Sequence, residues 1–251
     1  MTDVSAHVRT INDCNQRGGR MLSLVDLIDA GTVDLPLAGY LAAVMQTGAS
    51  ILVGAQPGGA GKTTVMCALL NFLPADVELR VVSSQGVLTR AIRRDGDGSA
   101  CYLAHEISPA RYYAYIWDAE ARRFFQLAKQ GHLIASNLHA DTLDETREQL
   151  CGENGVDPEL LDEVTLKLFI GTRRTGGWGM DRWISTVYES DGSGDRLVWS
   201  GSGLDQFSRS RGSAVISPER EEECQDFLRE LVRSDTRTIP AVRRAVIEQE
   251  K

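Results

Sequence analysis

Gly58, Gly59, Ala60, Gly61, Lys62, Thr63 and Thr64 are residue types suited to one task at this spacing, holding the phosphates of a nucleotide. Glycines let successive backbone N–H groups converge on phosphate oxygens. A helix starting at Lys62 adds its positive N-terminal end, the Lys62 ammonium reaches the terminal phosphates, and the Thr63 hydroxyl can ligate Mg²⁺. A side chain at Gly58, Gly59 or Gly61 would obstruct that approach. The P-loop pattern G-x-x-x-x-G-K-[ST] asks for glycine at position 56, where this chain has Gln56, so a strict pattern search passes over the loop.

Two later segments carry further chemistry. Cys101-Tyr-Leu-Ala-His-Glu106 reads as an apolar strand delivering a carboxylate at its C-terminal end. In a parallel sheet that end faces the ligand, so Glu106 can hold the water shell of Mg²⁺ or polarise an attacking water. In Gly131-His-Leu-Ile-Ala-Ser-Asn-Leu-His-Ala-Asp141, His132 and His139 bracket a buried strand. His139 suits hydrogen bonding to a terminal phosphate, and Asn137 suits orienting water. A strand-end glutamate taken alone is more often a solvated rim residue, and a single histidine more often structural. The weight lies in their order after the glycine-rich loop.

These residues need elements to position them. Ser23–Ala30 reads as a short helix closed by Gly31. Asp34 caps a second helix with Pro36 in its first turn and Leu37, Leu41, Val44 and Met45 on one side. Ser50–Gly54 reads as a buried strand, Lys62–Leu73 as a helix stopped by Pro74, and Glu78–Ser83 as a strand. A turn follows over Asp95–Ser99, then the strand ending at Glu106, a helix over Asp118–Gln130 and a strand over Leu133–Asn137. Alternation of this kind predicts an α/β fold with a parallel sheet flanked by helices. Beyond Asp141, helices are expected over Thr142–Leu150 and Glu159–Val164. Strands follow over Leu166–Gly171, Arg182–Glu189 and Arg196–Trp199, with a hairpin turn at Asp191-Gly-Ser-Gly194. Two amphipathic helices, Pro218–Arg233 and Ile239–Glu250, end the chain. The organisation expected is a lead-in over 1–22, a core over 23–215 and a C-terminal helical segment over 216–251.

With 251 residues the chain can bury a full core without disulfides or structural metal. Its five cysteines, Cys14, Cys67, Cys101, Cys151 and Cys224, include no C-x-x-C pair and read as small buried hydrophobes in a reducing compartment. A net charge of -8 repels phosphate backbones, so no nucleic-acid partner is expected. Met1–Arg20 is polar and lacks the apolar centre of a secretory leader, which gives a cytoplasmic expectation. The uncharged span from Leu35 to Gly61 is broken by Pro36, Gln46 and Gly48 and reads as helix plus strand, not as a membrane crossing.

With these segments the chain resembles the type II/IV secretion ATPases, the motors of secretion, conjugation, type IV pili and archaeal flagella. The P-loop, Asp118-Ala-Glu-Ala-Arg122, and Gln130-Gly-His-Leu-Ile-Ala-Ser-Asn-Leu-His-Ala140 look like that family's loop, helix and His box. Arg182-Trp-Ile-Ser-Thr-Val-Tyr-Glu189 looks like its late strand. The resemblance spans about residues 20 to 200. It implies a RecA-like P-loop NTPase core, ATP and Mg²⁺ as ligands, and a cytoplasmic homo-oligomer, typically a hexameric ring. It also implies a membrane-embedded secretion or pilus platform as partner, reached peripherally and without membrane insertion. Carried onto this chain, Gly58–Thr64 bind nucleotide, Thr63 and Glu106 serve the metal, and Glu106, His132, Asn137 and His139 form the catalytic set.

The chain departs from the family's pattern at several places. Val82-Ser83-Ser84-Gln85 stands where the family has acidic residues, His105-Glu106 and Ser108 replace a Gly-Glu and an arginine, and Asn137 replaces a threonine. The family's arginine-bearing N-terminal domain is represented by a short lead-in with Arg9, Arg17 and Arg20. Two readings therefore stand side by side: an ATPase coupling hydrolysis to assembly or transport, and a nucleotide-binding regulator with little turnover. A phosphotransferase on the same loop ranks below both, for want of an arginine-rich lid or an acceptor pocket.

Overall fold

The computed structural model describes residues 4–15, 18–93, 100–177 and 179–249; the turn expected over Asp95–Ser99, Arg17 and Trp178 lie outside the described residues. The helices α1 (Val4–Asp13), α2 (Leu24–Asp29) and α3 (Leu35–Gln46) precede β1 (Ile51–Gly54). Then follow α4 (Lys62–Leu70), β2 (Glu78–Val81), α5 (Gln85–Arg93), β3 (Ala100–Ile107), β4 (Tyr115–Ile116), α6 (Ala119–Lys129) and β5 (Leu133–Leu138). Next come α7 (Leu143–Arg147), continued by a π-helical turn over Glu148–Glu153, and α8 (Pro158–Asp162). The chain ends with β6 (Leu166–Arg174), β7 (Met180–Ser190), β8 (Asp195–Gly203), β9 (Gln206–Arg209), α9 (Pro218–Arg233) and α10 (Ile239–Gln249).

Local sequence fixes the helix starts. The Ser23 hydroxyl accepts from Asp26 N while the Asp26 carboxylate accepts from Ser23 N, a reciprocal capping box. Asp34 accepts from Leu37 N at the start of α3, with Pro36 in the first turn, where its missing N–H costs nothing.

The strands form one sheet in the order β2-β3-β5-β1-β6-β7-β8-β9, with β4 beside β3. Pairing from β2 through β6 is parallel, which the intervening helices make possible, and from β6 to β9 it is antiparallel. The parallel sheet expected from the alternation is thus half of a mixed sheet, because the chain beyond α8 returns by hairpins instead of helices. Successive strand residues enter opposite cores: Ile51, Val53, Cys101, Leu103, Leu166 and Leu168 face one cluster, while Leu52, Tyr102, Ala104 and Phe169 face the other. The first cluster is capped by α3, α4, α9 and α10, the second by α6 and α8. The apolar side expected for α3 widens to its whole girth, since every residue from Leu37 to Met45 is buried and α9 lies against Gly39 so closely that a Cβ there would overlap Gln225. Among the described residues no helix is long and apolar enough to cross a membrane.

Arg243 on α10, 1% exposed, ties the end of the chain to its middle. Its guanidinium donates to the carbonyls of Asn71, Leu73 and Pro74, satisfying acceptors that the C-terminal end of α4 leaves open. Beside it on α1, burial and then the Arg243 charge lower the pKa of His7 to about 3, against a small opposing effect of the Leu70 backbone. The unfolded chain would protonate His7 near 6.5, so the folded form carries the stabilising difference above that value and loses it as pH falls toward about 3. Each pH unit in that window costs about 1.4 kcal/mol. His7→Gln should flatten the loss, measured as urea midpoints at about pH 7 and about pH 4.5. An unchanged pH dependence would show that His7 does not carry it.

Candidate functional site

The C-terminal ends of β1, β3 and β5 open on one edge of the sheet, and the glycine-rich loop leaves β1 there. Gly54, the last residue of β1, has no room for a side chain, since a Cβ would stand 2.5 Å from Ala140 O and 2.7 Å from the Phe169 ring. That close approach lets the loop and the chain following β5 share one edge. Gly61 caps α4 with φ 96° and ψ 13°, a left-handed conformation that costs glycine little.

Lys62 is 8% exposed, and its Nζ donates to Ala55 O at 2.9 Å inside the loop. Nζ also lies 3.6 Å from Glu106 Oε2, so the two charges face each other at the loop's centre. The other carboxylate oxygen, Oε1, meets His139 Nε2 at 2.9 Å, while His139 Nδ1 lies 3.2 Å from Gln56 O. The tautomer decides which ring nitrogen donates, so His139 links the strand-end carboxylate to the loop backbone. Asn137, 1% exposed, donates from Nδ2 to His105 O at 2.7 Å and to Thr63 Oγ1 at 3.2 Å. Its Oδ1 has no hydrogen-bond partner among the described residues. An unmet buried acceptor costs about 1–3 kcal/mol, which a donor from water or ligand would recover.

Gln56, the departure from the glycine pattern, anchors the loop to the start of α7. Its backbone N–H donates to Asp141 Oδ1 at 2.7 Å and its side chain to Glu145 Oε2 at 3.3 Å. Glycine could supply the first contact but not the second.

Together these groups border a cleft of about 830 Å³. Gly58–Thr64 form one wall, Glu106 and His139 the floor, and Met21, Leu22 and Tyr112 an apolar side. Seven of the nucleotide-binding positions read from the sequence, together with Glu106 and His139, therefore meet in one place, with Asn137 directly behind Thr63. His132 does not join them. It precedes β5 and lies at the strand's opposite end, roughly 20 Å from the loop at about 3.3 Å per residue. There it packs edge-on against Tyr102, with ring centroids 5.2 Å apart, and burial followed by the Arg80 charge lowers its pKa. A strand has two ends and only the C-terminal one faces the loop, so His132 stands apart from the other residues of the expected catalytic set. Ser83 and Ser84 are exposed beyond β2 and do not line the cleft. Of the lead-in arginines, Arg20 reaches the cleft wall but is held by both oxygens of Asp26 at 2.6 and 2.5 Å, and Arg9 lies on α1 away from it.

Arg182 is a cleft residue that the sequence reading placed only in a strand. β6 runs parallel to β1 and β7 returns antiparallel, so the start of β7 arrives at the loop's edge. Arg182 Nε donates to Gly59 O at 3.0 Å and Nη1 to Met180 O at 3.1 Å. The signal is non-local pairing, which no motif spacing carries.

Among the described residues no group of three His, Cys, Asp or Glu side chains stands close enough to cage a metal. Mg²⁺ at phosphate sites needs less, one or two protein oxygens with the phosphates and water completing the shell. Thr63 and Glu106 across the loop fit that requirement, and Gly58 has no atom within 4 Å of where a Cβ would be, leaving space for phosphate.

No protein-family model matches the sequence, and no curated protein matches it. Solved structures do. The VirB11 ATPase from the Brucella suis type IV secretion system, in complex with sulphate, is 21% identical with a TM-score of 0.47 over 66% of this chain and 54% of its own. The chain is similar to type IV secretion ATPases. The Legionella pneumophila ATPase DotB is 14% identical with a TM-score of 0.42 over 86% of this chain and 59% of its own. The Yersinia pseudotuberculosis DotB gives 12%, 0.45, 88% and 62% for the same quantities. This chain thus spans between about half and three fifths of those secretion ATPases, at identities where likeness extends to fold alone. Activity and partners have to be argued from this chain's own residues.

Proposed function

We propose that the chain binds ATP in this cleft and hydrolyses it, as a motor of the secretion-ATPase kind coupling turnover to assembly or transport. The observation that carries the reading is the meeting of Lys62 and Glu106, 3.6 Å apart, where a glycine-rich loop and a strand end converge. Backbone N–H groups of Gly58–Thr64 bind the phosphates, and Lys62 neutralises the terminal ones. Mg²⁺, held by Thr63 and Glu106, would supply charge neutralisation for the phosphate oxygens. Glu106 orients the attacking water and takes its proton, while the bond from the terminal phosphorus to the bridging oxygen breaks. His139 reports the terminal phosphate to Gln56 and, through it, to α7. Asn137 holds Thr63 in place and has an acceptor to spare for water. Positioning and charge account for most of the rate in such transfers.

A homo-oligomer, of which a hexameric ring is the family's form, and a membrane-embedded platform partner belong to the same reading. What supports assembly is Tyr112, 70% exposed at the cleft, and Tyr113 beside it at 61%, large apolar rings that a neighbouring subunit would cover. The second reading, a nucleotide-binding regulator, is favoured by Ser83 and Ser84, where the resemblance would put carboxylates. The test is phosphate release from ATP by the purified protein, with and without Mg²⁺. Release that requires Mg²⁺ and disappears in Lys62→Ala supports the motor. Release no faster than in Lys62→Ala, with ATP still bound, supports the regulator.

A further inference from the structure

We infer that Arg182 is a phosphate-counting residue of this cleft, a cation supplied from within the same chain that binds the terminal phosphoryl group of a nucleoside triphosphate and leaves a diphosphate untouched. The inference rests on the reading of the cleft as a nucleotide site and adds to it the group that discriminates between substrate and product.

Three observations carry it. The first is place: the antiparallel return of β7 puts Arg182 over the glycine-rich loop, with its Cδ 3.5 Å from where a Cβ on Gly61 would stand. The second is charge. Of the other cleft cations, Arg20 is neutralised by Asp26 at 2.5 Å and Lys62 faces Glu106. Arg182 has only the carbonyls of Gly59 and Met180, and no carboxylate pairs with it among the described residues. The third is geometry: a guanidinium has five N–H donors in a planar fork matched to phosphoryl oxygens. Two of them are spent on those carbonyls, so the fork is oriented by the loop and keeps donors for an anion. An anionic phosphoryl oxygen brings a full negative charge to the remaining N–H groups, which a neutral carbonyl does not, and two parallel bonds from the fork to it add geometric fit. A half-buried guanidinium held beside Gly59 is therefore aimed at the negative charge that enters the loop.

Lys62 and Arg182 then divide the work. The loop holds the phosphates common to ATP and ADP, Lys62 reaches the last two of ATP and so keeps a contact in ADP, and Arg182 adds a bond only when the terminal phosphoryl group is present.

The experiment measures the affinities of a non-hydrolysable ATP analogue and of ADP, both with Mg²⁺, for the full chain and for Arg182→Lys, Arg182→Gln and Lys62→Ala. Arg182→Lys keeps the aliphatic stem against Gly61, so folding is not in question, while the fork is lost. The inference predicts that Arg182→Gln weakens the triphosphate analogue by about ten- to a hundredfold, the size of one charge-assisted bond, and ADP by less than about threefold. Arg182→Lys should recover part of the difference. Equal weakening of both nucleotides would mean that Arg182 only supports the loop, and no weakening of either would mean no contact; each overturns the inference while leaving the cleft a nucleotide site. If Lys62→Ala weakens neither nucleotide, the cleft reading itself falls and the inference with it.

Discussion

Glu106→Gln should reduce ATP turnover by about 10²- to 10⁴-fold, the usual contribution of a positioned general base, while nucleotide binding persists. Glutamine keeps the shape of the side chain and can still meet His139 at Oε1, so the cleft should hold its form. What disappears is the proton acceptor and one negative charge 3.6 Å from Lys62. Removing that charge frees the Lys62 ammonium for phosphate, so affinity for ATP should stay level or rise. Single-turnover phosphate release and titration with a fluorescent nucleotide read the two quantities separately. A variant that turns over at the parent rate would remove Glu106 from the chemistry. The regulator reading predicts a different pattern, since a parent that does not hydrolyse leaves glutamine nothing to abolish.

Lys62→Ala should weaken ATP binding by about ten- to a hundredfold or more, because it deletes the charge-assisted contact to the terminal phosphates. The fold should survive the change. Glu106 keeps His139 at 2.9 Å, and the hydrogen bond that Lys62 donates to the Ala55 carbonyl, at 2.9 Å, lies inside the loop and not between elements. Calorimetric titration with Mg²⁺ and ATP gives the affinity, and a urea midpoint near that of the parent shows that the loss is local. Full-strength binding without Lys62 would contradict the assignment of the loop as the phosphate cradle.

The parts of this site that were legible in the sequence are those made by neighbours along the chain. Gly58–Thr64 are contiguous, and their conformation follows from glycine and a helix start. Glu106 and Asn137 were legible because apolar strands announce themselves and a strand brings its last residues to a known edge. The same logic does not bring His132 to the loop, since bracketing a strand places two residues at opposite ends of it. Arg182 was beyond reach because its position depends on β7 pairing with β6, 8 residues apart at Arg173 and Asp181 but more than 120 residues from Gly59. Gln56 could be seen as a departure, but not that its side chain bonds to Glu145.

The fold divides in the same way. Helices with caps and apolar periodicity, such as α2, α3 and α9, were readable. The helix α1 was missed inside a polar lead-in, because its buried residues are only His7 and Ile11, one of them a polar type. The helix α5 was missed because it keeps only Leu88 and Ala91 buried, too few for an apolar periodicity. The short strands β4 and β9 exist by pairing with β3 and β8, at Tyr115 and Phe207 respectively, with too few residues for a pattern of their own. The hairpin at Asp191–Gly194 was visible from its glycines, whereas the switch of the whole sheet from parallel to antiparallel at β6 appears only in the pairing.

A crystal structure of the full chain grown with Mg²⁺ and a non-hydrolysable ATP analogue tests the central claim most directly. The account predicts the phosphates within the loop from Gly58 to Thr64, Lys62 on the terminal groups, the metal beside Thr63, and Glu106 facing the terminal phosphorus. Nucleotide bound elsewhere, or phosphates in the loop with Glu106 still turned away to Lys62 and His139 and no water between it and the terminal phosphorus, would contradict it.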